Sequence, residues 1–396
     1  MKKYLLITAV LFICLSAFSQ RIITADQLAY AKRNLNNIPN GSSAQKALIK
    51  NAEKELEKDL IPVTLKDIIA GSGDKHDYVS MGPYWWPDST KTDGLPYIRR
   101  DGLRNPEIEK LDRVKLDKLS KGVNTLAYAY YFTGEEKYAR KAIELLRIWF
   151  LNEDTKMNPN LNYAQMIHGR NDNKGRGEGI IDTYCFVEMT DCISILSNSM
   201  AMTKNDYNGL KAWFSDFLDW LLTSDLGKNE RDSKNNHGTA YDIQVTAYAL
   251  FADRKDVAKE FINNFAESRM YKQIEPDGSQ PLELARTIAM HYSIFNIDHM
   301  MDMAALAKST GVNIYKLTSA DGRSINKAIQ FIVPYLGKPQ SEFPYQQIKE
   351  WEQNQQKLCW LLRRSSQFEK NKEYDKLFDK YCTTKSSDFR WLIYAN

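Results

Sequence analysis

No CxxC and no HExxH pattern occurs in the sequence, so the ligand spacings that announce a zinc ion are missing. Cysteine is scarce: beyond Cys14 there are only Cys185, Cys192, Cys359 and Cys382. Cys185 and Cys192 stand seven apart in a helical pattern, on one face but too distant to bridge, and free buried thiols are expected. After the first residues no apolar run approaches the ~20 residues of a membrane-spanning helix. Nor is there an excess of one charge: without Lys2 and Lys3, 52 basic residues face 50 acidic ones. That balance speaks against nucleic acid as a partner, which favours a strongly basic face. Strand signals are few, sequence repeats are absent, and no low-complexity linker marks a domain boundary.

Residues 1–19 read as an export signal. Lys2 and Lys3 precede an apolar run from Tyr4 to Ala17, and Ala17-Phe18-Ser19 supplies small residues for a cut. Ile13 before Cys14 is too bulky for a good lipoprotein signal. The expected product is a soluble, exported protein, periplasmic or secreted, with residues 20–396 forming one domain.

Helix-length amphipathic patterns dominate that span. The first runs from Ala44 to Leu60, with Leu48, Ala52 and Leu56 on one face. Later ones come in pairs: 115–132 with 136–151, 180–199 with 204–223, 238–252 with 255–271, 282–308 with 323–335, and 346–365 with 371–382. Short turns such as Thr133-Gly134-Glu135 make antiparallel hairpins of them. The fold class expected is all-α, an incomplete (α/α) toroid whose inner helix ends form a cleft.

Four polar stretches interrupt the helices. In the first, Tyr84, Trp85 and Trp86 sit in an irregular segment followed by Arg99 and Arg100. Rings suit the faces of sugars and guanidinium groups suit carboxylates, so an acidic polysaccharide is a fitting partner. Because the two tryptophans are adjacent, one is expected to pack inward while the other faces the cleft. The second stretch holds Gln165, His168 and Arg176, with amide and cationic donors for hydroxyls and carboxylates. Its GRGEG run lacks the strand and the lysine of a phosphate loop. The third, Asn235-Asn236-His237-Gly238, opens a helical pattern with groups too polar for a core. The fourth carries Arg286 and Tyr292 in an apolar helical pattern, where six residues set them about 120° apart.

Taken together, YVSMGPYWWPD, GLPYIRRDG, NPNLNYAQMIHG with GRGEGIID, NNHG and ELARTIAMHYS resemble the alginate lyase superfamily of α/α-toroid polysaccharide lyases. The resemblance spans about Tyr78 to Ala307. It implies an Asn-His pair and an Arg-Tyr pair at the catalytic subsite, matching Asn236, His237, Arg286 and Tyr292. Gly238 after the histidine, and the short Arg-to-Tyr interval, look closer to a gut-bacterial alginate or glucuronan lyase branch than to the mannuronate-specific one.

Such a lyase removes the C5 proton of a uronate and expels the oxygen at C4. Asn236, with His237 or Arg286, would meet the carboxylate as charge builds on it. Tyr292 would take the proton, its ionisation helped by Arg286. Where the C5 proton and the C4 oxygen lie on opposite faces, His237 would be the base and Tyr292 the acid. Tyr84, Trp85, Trp86, Arg99, Arg100, Gln165, His168 and Arg176 would bind substrate, with no metal or organic cofactor required. Two rivals stay open. A glycoside hydrolase would need two cleft carboxylates, for which Glu178, Asp182, Asp242 and Glu283 are available; a non-catalytic carbohydrate-binding protein would need only the rings and arginines.

Overall fold

A computed structural model describes residues 22–308 and 310–395; the export signal read over residues 1–19 lies outside the described residues. The N-terminal helices α1 (Ala25–Arg33) and α2 (Gly41–Leu56) lead into the hairpin α3 (Asp112–Thr133) and α4 (Glu136–Phe150). Then follow α5 (Phe186–Leu196), α6 (Lys204–Thr223), α7 (Asp225–Arg231), α8 (Asn236–Phe251), α9 (Lys255–Phe265) and the short α10 (Tyr271–Gln273). The chain ends with α11 (Pro281–Leu284), α12 (Ala289–Lys308), α13 (Ile325–Ile332), α14 (Trp351–Ser365), α15 (Lys372–Tyr381) and α16 (Arg390–Ile393).

Helices α3, α5, α8, α12 and α14 contact one another in that order and form the inner layer, while α4, α6, α9, α13 and α15 lie against them from outside. This is the incomplete toroid expected from the hairpins. The amphipathicity that predicts helices differs between the layers for a physical reason. An inner helix is covered on nearly all sides, so its apolar stripe widens to most of its circumference. In α8 every residue except His237 is buried. In α12 Lys308 at the end is exposed, and the residues left partly open are His291, Phe295 and Asp298. Spacings of four and three put those last three on one stripe.

The segment between α2 and α3 is not featureless. A parallel pair joins β1 (Val79–Met81) to β4 (Tyr163–Met166), and an antiparallel pair joins β2 (Trp85–Trp86) to β3 (Ile98–Arg99). A small apolar cluster that includes Val79, Met81, Tyr97, Ile108 and Met166 supports this layer.

Several boundaries depart from the sequence reading. Helix α1 precedes the 44–60 pattern read as the first helix, and the helix expected from 180 starts at Phe186. Two further departures bear on the site. Helix α7 was not foreseen; Ser224 caps it by accepting from the Gly227 N–H. The continuous helix expected over 282–308 is broken, because α11 ends at Leu284 and α12 starts at Ala289. Between them the backbone turns outward to meet another segment: Ile288 bridges Gln347, and the Ile348 N–H donates to the Thr287 carbonyl.

The approach to α8 is held by Arg269, which lies in a π-helical turn after α9. Its Nε and Nη2 donate to both Asp242 oxygens at 2.7 and 2.8 Å, and it also donates to the Ser233 and Arg231 carbonyls. A Cβ on Gly238 would stand 2.3 Å from Arg269 Nη1 and 2.2 Å from the Ser233 oxygen, so only glycine permits this staple. Arg269→Met should leave Asp242 as a buried, unpaired charge and lower stability by about 3–5 kcal/mol in urea unfolding. A loss below about 1 kcal/mol, the worth of an exposed pair, would count against the staple.

Candidate active site

A cavity of about 680 Å³ opens where the inner helices α8 and α12 meet the small strands. Its walls bring together Tyr84, Trp85, Arg99, Gln165, Arg176, Asn236, His237, Arg286 and Tyr292. Sequence separation between Tyr84 and Tyr292 is 208 residues, yet their hydroxyls are 2.9 Å apart.

Period two in the strands explains which aromatic and basic residues reach the cavity. Trp85 lines it and Trp86 does not; the Trp86 Nε1 donates to the Leu103 carbonyl instead. Arg99 lines it, while the next residue, Arg100, lies over the Trp86 ring at 5.7 Å. His168 is also outside the walls, edge-on to Tyr97 with ring centroids 4.9 Å apart. Of the sugar-contacting residues expected from sequence, Trp86, Arg100 and His168 therefore support the loop and do not face the cavity. Arg170 sits over the Trp85 ring at 5.1 Å.

Gln165 reaches the cavity but its amide is committed at both ends. Nε2 donates to Asp182 at 2.9 Å, and Oε1 accepts from Arg176 Nη2 at 2.8 Å. Its carbonyl accepts from Arg176 Nε. The amide thus aims the arginine, whose Nη1 also donates to Glu178. Burial pulls the Arg176 pKa below its ordinary value, with Glu178 opposing.

His237 is the one partly open residue of α8, and Asn235 caps the helix by accepting from its backbone N–H. The imidazole Nδ1 is 2.6 Å from an oxygen of Glu230, a fully buried carboxylate at the end of α7. Burial alone would lower the His237 pKa, but the adjacent Glu230 charge and hydrogen bond outweigh it and the net shift is upward. The carboxylate accepts Nδ1–H, which leaves Nε2 as the ring's basic atom. Asn236 is held by Glu283: its backbone N–H and its Nδ2 donate to the two oxygens at 2.8 and 2.7 Å. One amide hydrogen of Asn236 remains, and its Oδ1 has no partner among the described residues.

The break before α12 changes the relation between Arg286 and Tyr292. With no continuous helix, the 120° offset does not apply, and the guanidinium carbon folds over the Tyr292 ring centroid at 3.7 Å. Asp101 fixes it there by accepting from Nη2 at 2.7 Å and Nε at 3.1 Å, and also accepts from Thr287. The cation faces the ring, not the phenolic oxygen. Burial pushes the Tyr292 pKa well above its usual value, Tyr84 adds to the rise, and Arg286 offsets only part. Tyr292 thus rests as a neutral phenol, contrary to the expectation that Arg286 would ionise it.

The carboxylates that a hydrolase could use are already engaged. Asp182 accepts from Tyr78, Ser80, Arg113 and Gln165. Asp242 is bound to Arg269, Glu283 to Asn236 and Glu178 to Arg176.

The family model described as alginate lyase matches residues 63–343. The chain belongs to the alginate lyase family. It is an enzyme, a polysaccharide lyase. The chain is similar to an alginate lyase from Bacteroides ovatus, with 51% identity, a TM-score of 0.93, and 95% of this chain and 98% of that one covered. The alginate lyase A1-III from Sphingomonas species A1 shares the fold at 14% identity and a TM-score of 0.55, over 92% and 98% of the two chains. A histidine-to-alanine variant of that lyase, complexed with a tetrasaccharide, aligns with a TM-score of 0.57 at the same identity and coverage. Curated protein sequences give no match.

Sequence reasoning missed Glu230 and gave no role to Asp101. Glu230 lies seven residues before His237 across a helix end and a turn, a spacing with no local signature. Asp101 lies in the GLPYIRRDG stretch, but its partner Arg286 is 185 residues away.

Proposed function

We propose that this lyase cleaves alginate by β-elimination, with His237 as base and Tyr292 as acid. The observation that carries the reading is the pairing, in one cavity, of an imidazole oriented by a buried carboxylate with a buried neutral phenol. In this scheme Nε2 of His237 takes the C5 proton. The electron pair of that C–H bond becomes the C4=C5 double bond, the C4–O4 bond breaks, and Tyr292 gives its proton to O4. Negative charge gathering on the uronate carboxylate is met by the arginines in the walls and by the remaining amide hydrogen of Asn236. Alginate is the substrate we favour because the relative sharing 51% identity is an alginate lyase. An export signal over residues 1–19 would put the enzyme where a polymer too large to cross a membrane is met.

The test is a panel of purified polymannuronate, polyguluronate and glucuronan, followed by ultraviolet absorbance of the conjugated 4,5-unsaturated ends. Rising absorbance on the alginate blocks is expected; reducing ends without absorbance would mean hydrolysis.

The pH profile follows from Glu230. A base must be neutral to accept a proton, so kcat/KM should rise as pH climbs through the elevated His237 pKa. Glu230→Gln removes the main cause of that elevation while burial remains. The acid limb should then move to lower pH, and the plateau should fall as the weaker base is less well aimed. An acid limb that stays in place would show that His237 is not the group being titrated.

A further inference from the structure

A second cavity of about 260 Å³ lies beside the first, between α12, α14 and α16. His291 and Phe295 belong to the walls of both, so the open stripe of α12 forms the partition. Three cations face this smaller space, and two of them are already neutralised. Arg364 donates to Asp298 at 2.6 Å and to Asp302. Arg390 donates to both oxygens of Asp388 and lies over the Trp360 ring.

Lys357 is the exception. Its Nζ is 3.1 Å from His291 Nδ1, an imidazole whose pKa burial and the lysine itself push down to about 4. A neutral ring accepts a hydrogen bond without cancelling the ammonium charge. No ion pair to Lys357 is found among the described residues, and Glu350 acts on it only from beyond bonding distance. The lysine is half-buried, and burial lowers its pKa. A desolvated, uncompensated charge is costly, so its natural complement is an anion in the cavity. Asp298 also faces that space but is tied to Arg364, which it shares with Asp302, so among the described residues no carboxylate is bonded to Lys357.

We propose that this cavity is an outer subsite that takes the carboxylate of a uronate neighbouring the sugar that reacts, with Lys357 as its counter-ion. The inference rests on the lyase reading. A polyuronate carries a carboxylate on every sugar, so a chain seated in the main cavity brings a second anion to its edge. The smaller space suits a single ring, and the Trp360 indole lies in its wall.

The test compares alginate oligomers from trimer to hexamer, using the full-length enzyme and its Lys357→Gln and Lys357→Arg variants. In the wild type kcat/KM should grow with length. In Lys357→Gln that gain should shrink about tenfold, the worth of one charge-assisted hydrogen bond, and should do so through KM; Lys357→Arg should retain most of it. As a binding measurement with Lys357 in place, in Tyr292→Phe protein that turns substrate over slowly, a hexamer should slow acetylation of Lys357 more than a trimer does, read by peptide mass spectrometry. If Lys357→Gln keeps the wild-type length dependence, or if the hexamer protects no better than the trimer, the subsite is overturned while the lyase reading stands. Failure of the wild type to form unsaturated ends from any oligomer would overturn the lyase reading, and the subsite with it.

Discussion

Tyr292→Phe should lower kcat by about 10³-fold on alginate while leaving KM within a few-fold of wild type. The substitution keeps the ring beneath the Arg286 guanidinium and its packing against Phe295. It deletes only the hydroxyl and its bond to Tyr84, a stability cost of about 1 kcal/mol. The large effect is kinetic because the leaving O4 then loses the phenol assigned to protonate it, and the nearest remaining hydroxyl, that of Tyr84, stands 2.9 Å behind the deleted one. The arginines around the cavity are permanently charged and poor proton sources, and the carboxylates are paired. Measuring initial rates alongside urea unfolding separates the two effects. A variant turning over within tenfold of wild type would remove Tyr292 from the proton path.

His237→Gln should lower kcat by about 10²–10⁴-fold. Glutamine keeps a donor for Glu230, so the buried carboxylate is not stranded as alanine would leave it, yet an amide cannot take a proton from carbon. The loss should be most severe on blocks whose C5 proton and C4 oxygen lie on opposite faces, since one group cannot serve both there. On the other epimer a residual rate would mean that Tyr292, once ionised by bound substrate, can act as both base and acid. Assays on separate polymannuronate and polyguluronate blocks give that split directly. Near-wild-type rates on both would end the assignment of His237 as base.

Both predictions depend on groups of unequal legibility. Asn236, His237, Arg286 and Tyr292 stand out in the sequence as polar groups in apolar helical patterns, but their grouping as one catalytic set comes from the resemblance to the alginate lyases. The alternation of Trp85 with Trp86, and of Arg99 with Arg100, could be anticipated only in part. A two-residue strand leaves no periodic trace, though its period of two decides which side chain faces the cavity. His168 looked like a ligand because an imidazole in a loop resembles a site, but it is edge-on to Tyr97.

By itself the sequence determined the all-α class, four of the five helix pairs and the set of motifs, since these rest on local periodicity and on turns of a few residues; α6 packs chiefly on α8 and not on its expected partner α5. It also determined that Gly238 follows the histidine. Tertiary structure alone decided why: the space for a Cβ is occupied by Arg269, which arrives from another helix. It likewise decided that Arg286 faces the Tyr292 ring and not its oxygen, because Asp101 and the bridge to Gln347 draw the chain out of helix. Protonation states belong to the same category. Burial raises Tyr292 and Glu230 raises His237, and neither burial nor a partner brought across a turn can be read from residues in order.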